Sequence, residues 1–184
     1  VTVLIATAAI ALAFGIRVLI RMVRSAGGSP LAADPPPVAA GLVCAIVPVL
    51  DEEARVGAAL EALRGCGAEL REILVVDGGS RDATAQVVAA AAARDPRIRW
   101  IDAAPVPADW NGKAWGIACG LRNASPEADF VATIDADVRV SPRLFAAMLA
   151  KREAENLAAL SVATKQELGD WLEGLLHPAF LCTL

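Results

Sequence analysis

Between Leu42 and Ala163, short apolar runs alternate with segments whose apolar residues recur at helical spacing. No other feature restricts the fold as strongly. Strands separated by helices are joined by right-handed crossovers and lie mostly parallel in one sheet. Strands are expected at Leu42–Val49, Glu72–Val76, Ile98–Asp102, Phe130–Ile134 and Leu157–Ala163. The first is continuously apolar, which suits a strand buried on both faces. Helices are expected over Glu52–Arg64, Asp82–Arg94 and Lys113–Asn123, with another from the neighbourhood of Pro142 to Glu155. In the first of these, Val56, Leu60 and Leu63 share a face and Gly65 supplies the stop. There is no internal repeat. The fold class is therefore α/β, a mostly parallel sheet flanked by helices.

The segment ahead of this pattern is different in kind. Val1 to Val23 is nearly all apolar, interrupted by Arg17 and Arg21, with Arg24 just beyond. The uncharged stretch Val1–Ile16 is short for a bilayer span of about 20 residues, but arginines near a helix end snorkel to the interface. A transmembrane anchor is expected over residues 1–24. Its basic side faces the cytoplasm by the positive-inside rule. A secretory signal peptide would carry its charges ahead of the apolar run, and a core helix of a soluble protein is the third option. Residues 25–40 hold Gly27-Gly28-Ser29-Pro30 and Pro35-Pro36-Pro37, the composition of a linker. The soluble domain is expected over residues 41–184.

Across 184 residues the chain is 56% hydrophobic, which excludes disorder, and its net charge of −4 argues against nucleic acid as a partner. Cys44, Cys66, Cys119 and Cys182 form no close pair, so buried free thiols are expected. A single histidine, His177, leaves no room for a histidine-rich metal site or a Ser-His-Asp triad; beside Pro178 it reads as structural.

The polar clusters concentrate just after expected strands. Pro48-Val-Leu-Asp51-Glu52 follows the first, Asp77-Gly-Gly79-Ser80 the second and Asp135-Ala-Asp137 the fourth. In open α/β sheets ligands bind at that carboxyl edge. Asp135 and Asp137, two residues apart, suit a hard divalent cation that bridges to phosphates; as turn formers they would simply end the strand. Asp77 offers a carboxylate to a base N–H or a ribose hydroxyl, and its glycines permit close backbone approach. Equally, the cluster is a tight turn in which Ser80 or Asp82 caps the next helix. In Asp109-Trp110-Asn111-Gly112-Lys113-Ala-Trp115, a lysine at a helix start makes an anion site, with Lys113 neutralising a phosphate. The alternative is a solvated lysine between packing tryptophans. No G-x-G-x-x-G follows a strand, which disfavours a dinucleotide fold.

Taken together, these motifs resemble the family 2 glycosyltransferases of GT-A fold. The matching segments are Pro48–Glu52, Asp77–Ser80 and the Asp-x-Asp at Asp135 and Asp137, spanning Leu42 to about Val162. Trp110-Asn-Gly-Lys113-Ala-Trp115 resembles the Trp-x-Gly-Lys-x-Trp of bacterial membrane-associated members, the hopene-associated and carotenoid-type enzymes. The resemblance implies a nucleoside-diphosphate sugar donor, expected to be UDP-linked, and a lipid-like acceptor at the membrane. It implies that Glu52 and Asp77 contact the nucleoside and Asp135 the ribose or metal. Asp137 would ligate Mn2+ or Mg2+. Pro48, Asp51, Gly79, Ser80, Asn111, Gly112 and Lys113 complete the expected donor site. Two positions depart from the family pattern: Asp51 stands for the commoner Asn, and Gly78 for the second Asp of the usual pair.

The resemblance also implies a general-base carboxylate and a Gln-x-x-Arg-Trp segment further along, and neither occurs before Leu184. The chain is expected to be the donor-binding piece of a longer protein, inactive alone, at the inner (cytoplasmic) membrane with its domain facing the cytoplasm. Lys165–Leu184 carries Trp171, Leu172, Leu175, Leu176, Phe180 and Leu181 at helical spacing. It either lies on the membrane surface or packs on its own domain. Two other activities stay open. A sugar-phosphate nucleotidyltransferase shares the sheet and carboxylates, but calls for a basic glycine-rich loop where Asp51-Glu52-Glu53 stands. A non-catalytic nucleotide-sugar-binding module needs no base at all.

Overall fold

The computed structural model describes residues 12–17, 19–20 and 31–162. Residues 12–17 and 19–20 are helical, and no helix among the described residues is long and apolar enough to cross a membrane. The remainder of the expected anchor, residues 25–30 of the linker, Cys182, His177 and the Lys165–Leu184 segment lie outside the described residues. Residues 31–40 form no helix or strand.

Leu31–Ser161 make one compact unit built on a four-stranded sheet. In chain order its elements are β1 (Val43–Val49), α1 (Val56–Arg64), β2 (Leu70–Asp77), α2 (Thr84–Ala92), β3 (Ile98–Asp102), α3 (Gly112–Asn123), β4 (Phe130–Thr133) and α4 (Leu144–Glu155). The strand order is β3-β2-β1-β4 and every pairing is parallel. Because β1 is central, its side chains are buried on both faces. Val43, Ala45, Val47 and Val49 join Val56, Leu60 and Leu63 of α1, Val88 of α2 and Phe145 of α4. The alternate residues Cys44 and Ile46 join Leu74 and Val76 and meet Trp115 and Cys119 of α3. The two-residue period of a strand thus explains why an unbroken apolar run is required there.

Register sets the site. Val49 lies opposite Asp77, and Asp77 opposite Asp102, so three strands end level. On the other side Ile46 pairs with Thr133, and the Ile134 N–H donates to the Ile46 carbonyl at 2.9 Å. Residues 135–137 therefore emerge at the same edge as Pro48–Glu52. α3 crosses directly over β1 because it presents glycines there. A Cβ on Gly116 would stand 3.1 Å from Pro48 Cβ, and one on Gly120 only 2.5 Å from Ile46 Cγ2.

One expectation needs correction. No strand forms over residues 157–162. Asn156 instead turns left-handed (φ 51°) to close α4, and the Leu157 N–H donates to the Arg152 carbonyl. The segment beyond stays exposed or half-buried and pairs with no described strand, so its apolar composition had no ladder to join. Gly65 ends α1 as expected, at φ −71° and with its N–H shared between the Glu61 and Ala62 carbonyls. Cys44, Cys66 and Cys119 are free thiols, the first two buried. Burial, reinforced by Glu72, pushes the Cys44 thiol up to about 12; burial and Glu69 push Cys66 up to about 11.

Candidate functional site

The turns after β1 and β2 are laced together. The Asp51 N–H donates to Ser80 Oγ at 2.9 Å, and Asp51 Oδ1 accepts from the Arg81 N–H at 2.7 Å. The Glu52 N–H donates to Thr84 Oγ1 at 2.8 Å, and the Glu53 N–H to Asp82 Oδ2 at 3.0 Å. Glu53 Oε2 returns the bond by accepting from the Ala83 N–H at 2.8 Å. Asp51 holds this position at φ 54°, a left-handed conformation that Asp tolerates better than most residues. Asp77 is buried, and its carboxylate accepts from the Ser80 N–H at 3.0 and 3.1 Å and from the Ser80 hydroxyl at 2.5 Å. Gly79 makes the intervening turn at φ +106°. Next to this turn, Asp82 is held below the ordinary carboxylate range. Desolvation raises it, but the Thr84 hydroxyl and the Glu53 and Thr84 N–H groups outweigh that.

The opposite wall is the start of α3. Asn111, in extended conformation, caps the helix by accepting from the N–H groups of Lys113 (3.0 Å) and Ala114 (3.4 Å). Trp115 anchors the helix to the sheet by donating its Nε1–H to the Ala103 carbonyl at 2.8 Å. Trp110 meets it edge-on, with ring centroids 5.3 Å apart, and remains partly exposed. From this start Lys113 extends its ammonium to 2.6 Å from Asp135 Oδ1.

Between the walls lies a cleft of about 440 Å³. Pro48, Val49, Leu50 and Glu52 line it from β1 and its turn, Val76 and Gly78 from β2, and Val106 from the loop after β3. Asn111, Gly112 and Lys113 line it from α3, and Asp135, Ala136 and Asp137 from the chain leaving β4. Of the residues expected from sequence, Pro48, Glu52, Asn111, Gly112, Lys113, Asp135 and Asp137 are brought together. Asp51, Asp77, Gly79 and Ser80 do not line the cleft; the two carboxylates and the hydroxyl bond within and between the turns. Val49, Leu50, Val76, Gly78, Val106 and Ala136 were not expected. Gly78 was at least signalled by its neighbours in the Asp77–Ser80 cluster, whereas an apolar residue in a loop carries no signal that separates lining from packing. Glu52 adds one unusual atom: its Oε2 is shielded from solvent, lies 2.8 Å from Arg55 Nε and accepts no hydrogen bond.

The donor set bears on a divalent cation. Among the described residues, no group of three His, Cys, Asp or Glu side chains could hold a metal. Asp135 and Asp137 instead present exposed carboxylates to an open cleft. That suits a hard cation which keeps few protein ligands and completes its shell with phosphate oxygens and water. The residues fit such an ion, with Lys113 occupying one of the four carboxylate oxygens.

A parallel sheet whose strand ends feed one polar cleft defines the class of open α/β domains that bind ligands at the carboxyl edge. Comparison with known proteins narrows this. The family model described as glycosyl transferase family 2 matches residues 44–179, and the chain belongs to that family. No curated sequence matches it significantly. Among solved structures, the mannosyltransferase PcManGT from Pyrobaculum calidifontis, in complex with GDP-Man and Mn2+, superposes with a TM-score of 0.65 at 22% identity. That match covers 85% of this chain and 46% of PcManGT. S. aureus TarS superposes with a TM-score of 0.52 at 19% identity, covering 67% of this chain and 38% of that one. The chain thus spans less than half the length of either. At these identities the likeness establishes the shared fold, in agreement with the expected GT-A architecture.

Proposed function

We propose that this chain supplies the donor half of a glycosyltransferase, binding a nucleoside-diphosphate sugar for transfer to an acceptor hydroxyl. The observation that carries the reading is the convergence of three strand-end segments and the α3 start on one cleft, with two carboxylates and a lysine at its polar end. Family membership supports it, and PcManGT is described with a ligand of this class and with Mn2+.

The division of labour follows from the walls. The apolar side chains of Val49, Leu50 and Val106 and the bare backbone of Gly78 receive the base and ribose. The Glu52 carboxylate, whose Oε2 is shielded and ion-paired with Arg55 at 2.8 Å, is the acceptor for a base N–H or a ribose hydroxyl. Asp77 acts one step back: by holding Ser80 it fixes the turn that presents Gly78. The N-terminus of α3 and Lys113 meet the diphosphate, where the helix dipole and the ammonium both favour negative charge. Asp135 and Asp137 would hold Mn2+ or Mg2+, which when bound supplies Lewis-acid stabilisation of the departing nucleoside diphosphate. The base that deprotonates the acceptor is assigned beyond Leu184, as the family resemblance implies, so the 184-residue chain alone is expected to bind donor without transferring sugar.

Further parts of the reading concern setting. The donor is UDP-linked and the acceptor lipid-like. Residues 1–24 anchor the protein in the inner membrane, residues 25–40 tether the domain over residues 41–184, and that domain faces the cytoplasm. The support is the apolar run with arginines after it and the Trp110–Trp115 motif.

Titration of the chain with UDP, GDP, UDP-glucose and GDP-mannose, with and without Mn2+, tests the core of this reading. Binding that needs Mn2+ and disappears in Asp137→Asn is expected. A folded chain indifferent to every nucleotide would refute the donor site. Co-sedimentation with lipid vesicles, compared with a chain lacking residues 1–24, tests the anchor.

A further inference from the structure

We propose that Lys113 is the resting counter-ion of Asp135, so that the free protein holds a divalent cation less tightly than its two carboxylates alone would, and takes one up more readily together with a nucleoside diphosphate. The proposal rests on the donor-site reading above and adds an order of events to it. The two side chains meet at 2.6 Å from well-fixed backbones. Lys113 stands in the first turn of α3, whose start is held by the Asn111 cap. Asp135 follows the Ile134–Ile46 ladder bond, and its own carbonyl accepts from the Val138 N–H at 3.0 Å. The side chains themselves are 58% and 53% exposed. A pair this open is worth no more than about fivefold in an equilibrium constant. It is strong enough to compete with a weakly held cation and weak enough to be exchanged.

A cation arriving alone meets only Asp135 and Asp137, because no third His, Cys, Asp or Glu joins them among the described residues. To use Asp135 it must displace the ammonium, which then loses its partner and lies beside a second positive charge. A diphosphate removes both difficulties. Its oxygens complete the shell of the cation and also give the Lys113 ammonium a new partner. Cation and nucleotide therefore tighten each other's binding, by the same factor in each direction. Lys113 is in this sense a positioning residue for Asp135 as well as a phosphate contact.

Isothermal titration of Mn2+ into the 184-residue chain, alone and with saturating UDP or GDP, tests this in the wild type, Lys113→Met and Lys113→Arg. Both substitutions leave the Asn111 cap in place, since it uses only the backbone N–H at 113. Lys113→Met is expected to bind Mn2+ alone up to about fivefold more tightly and to lose a corresponding factor of the tightening that the nucleotide confers, keeping the part that comes from the phosphate oxygens completing the cation's shell. Lys113→Arg is expected to keep the wild-type pattern. Loss of a merely structural residue would weaken Mn2+ binding, so the sign of the change is diagnostic. Nucleotide binding by the wild type, with Mn2+ affinity in Lys113→Met unchanged or weakened, would overturn the counter-ion role alone. Failure of the wild type to bind any nucleotide would sink the donor-site reading, and this proposal with it.

Discussion

Replacing Gly120 by Ala places a methyl group where α3 passes over the sheet. The new Cβ would stand 2.5 Å from Ile46 Cγ2, 2.9 Å from Cδ1 and 3.1 Å from Cγ1. Carbon atoms rest at about 3.5–4.0 Å, so roughly 1 Å of displacement is required. Ile46 cannot supply it, because it is fully buried in the central strand and a β-branched side chain has few rotamers. The helix must lift instead. Overpacking of this kind costs about 1–3 kcal/mol, and alanine returns about 1 kcal/mol through helix propensity. The clash is severe enough to put the net loss at about 1–2 kcal/mol. Gly116 is the internal control. Its Cβ would sit 3.1 Å from Pro48 Cβ, which asks for a few tenths of an ångström, so the propensity gain roughly cancels the strain. Urea denaturation of both variants at unchanged m-value measures the difference directly. Equal midpoints for Gly120→Ala and wild type, or a greater loss for Gly116→Ala, would refute the close-packing argument.

Two further outcomes follow from groups away from the cleft. The Arg97 guanidinium hydrogen-bonds Asp95, at 2.8 Å from Nη2 and 3.1 Å from Nε, and holds that carboxyl below its ordinary range. A depressed folded pKa stabilises above the unfolded value, near 4, and the benefit drains as pH falls through the folded value. Arg97→Gln is therefore expected to cost about 1.5–3 kcal/mol at pH 7 and to flatten the acid limb of a stability–pH curve below pH 4. An unchanged limb would contradict the pairing. The Cys44 and Cys66 thiols, raised to about 12 and about 11, are expected to ignore a thiol reagent at pH 8 until urea unfolds the chain. Labelling of Cys44 in the native protein would show that β1 is not the sealed strand described above.

The sheet was legible because its determinants are local. A continuous apolar run such as Val43–Val49 has few alternatives to a doubly covered strand, and chain direction then fixes which end carries Asp135 and Asp137. Individual side-chain partners were not legible. Asp77, expected at the ligand, satisfies Ser80 three residues away, a partnership that costs little ordering because the turn already brings the groups together. Asp51 likewise went to the backbone of Arg81. Leu157–Ala163 failed as a strand over its described part because pairing depends on a neighbour, which composition cannot report. Val106 and Leu50 escaped notice for a related reason. What makes them lining residues is the absence of anything packed on one side of them.

The lacing of the two turns has a consequence for how this edge of the protein responds to heat and to ligand. Five hydrogen bonds run between residues 51–53 and residues 80–84. Neither turn can open without breaking bonds held by the other, so the two behave as a single foldon rather than as independent loops. A ligand arriving at that wall would meet a surface already ordered and surrender little conformational entropy in ordering it. The cost was met when the chain folded, and Thr84, buried and outside the cleft, is one of the residues that met it.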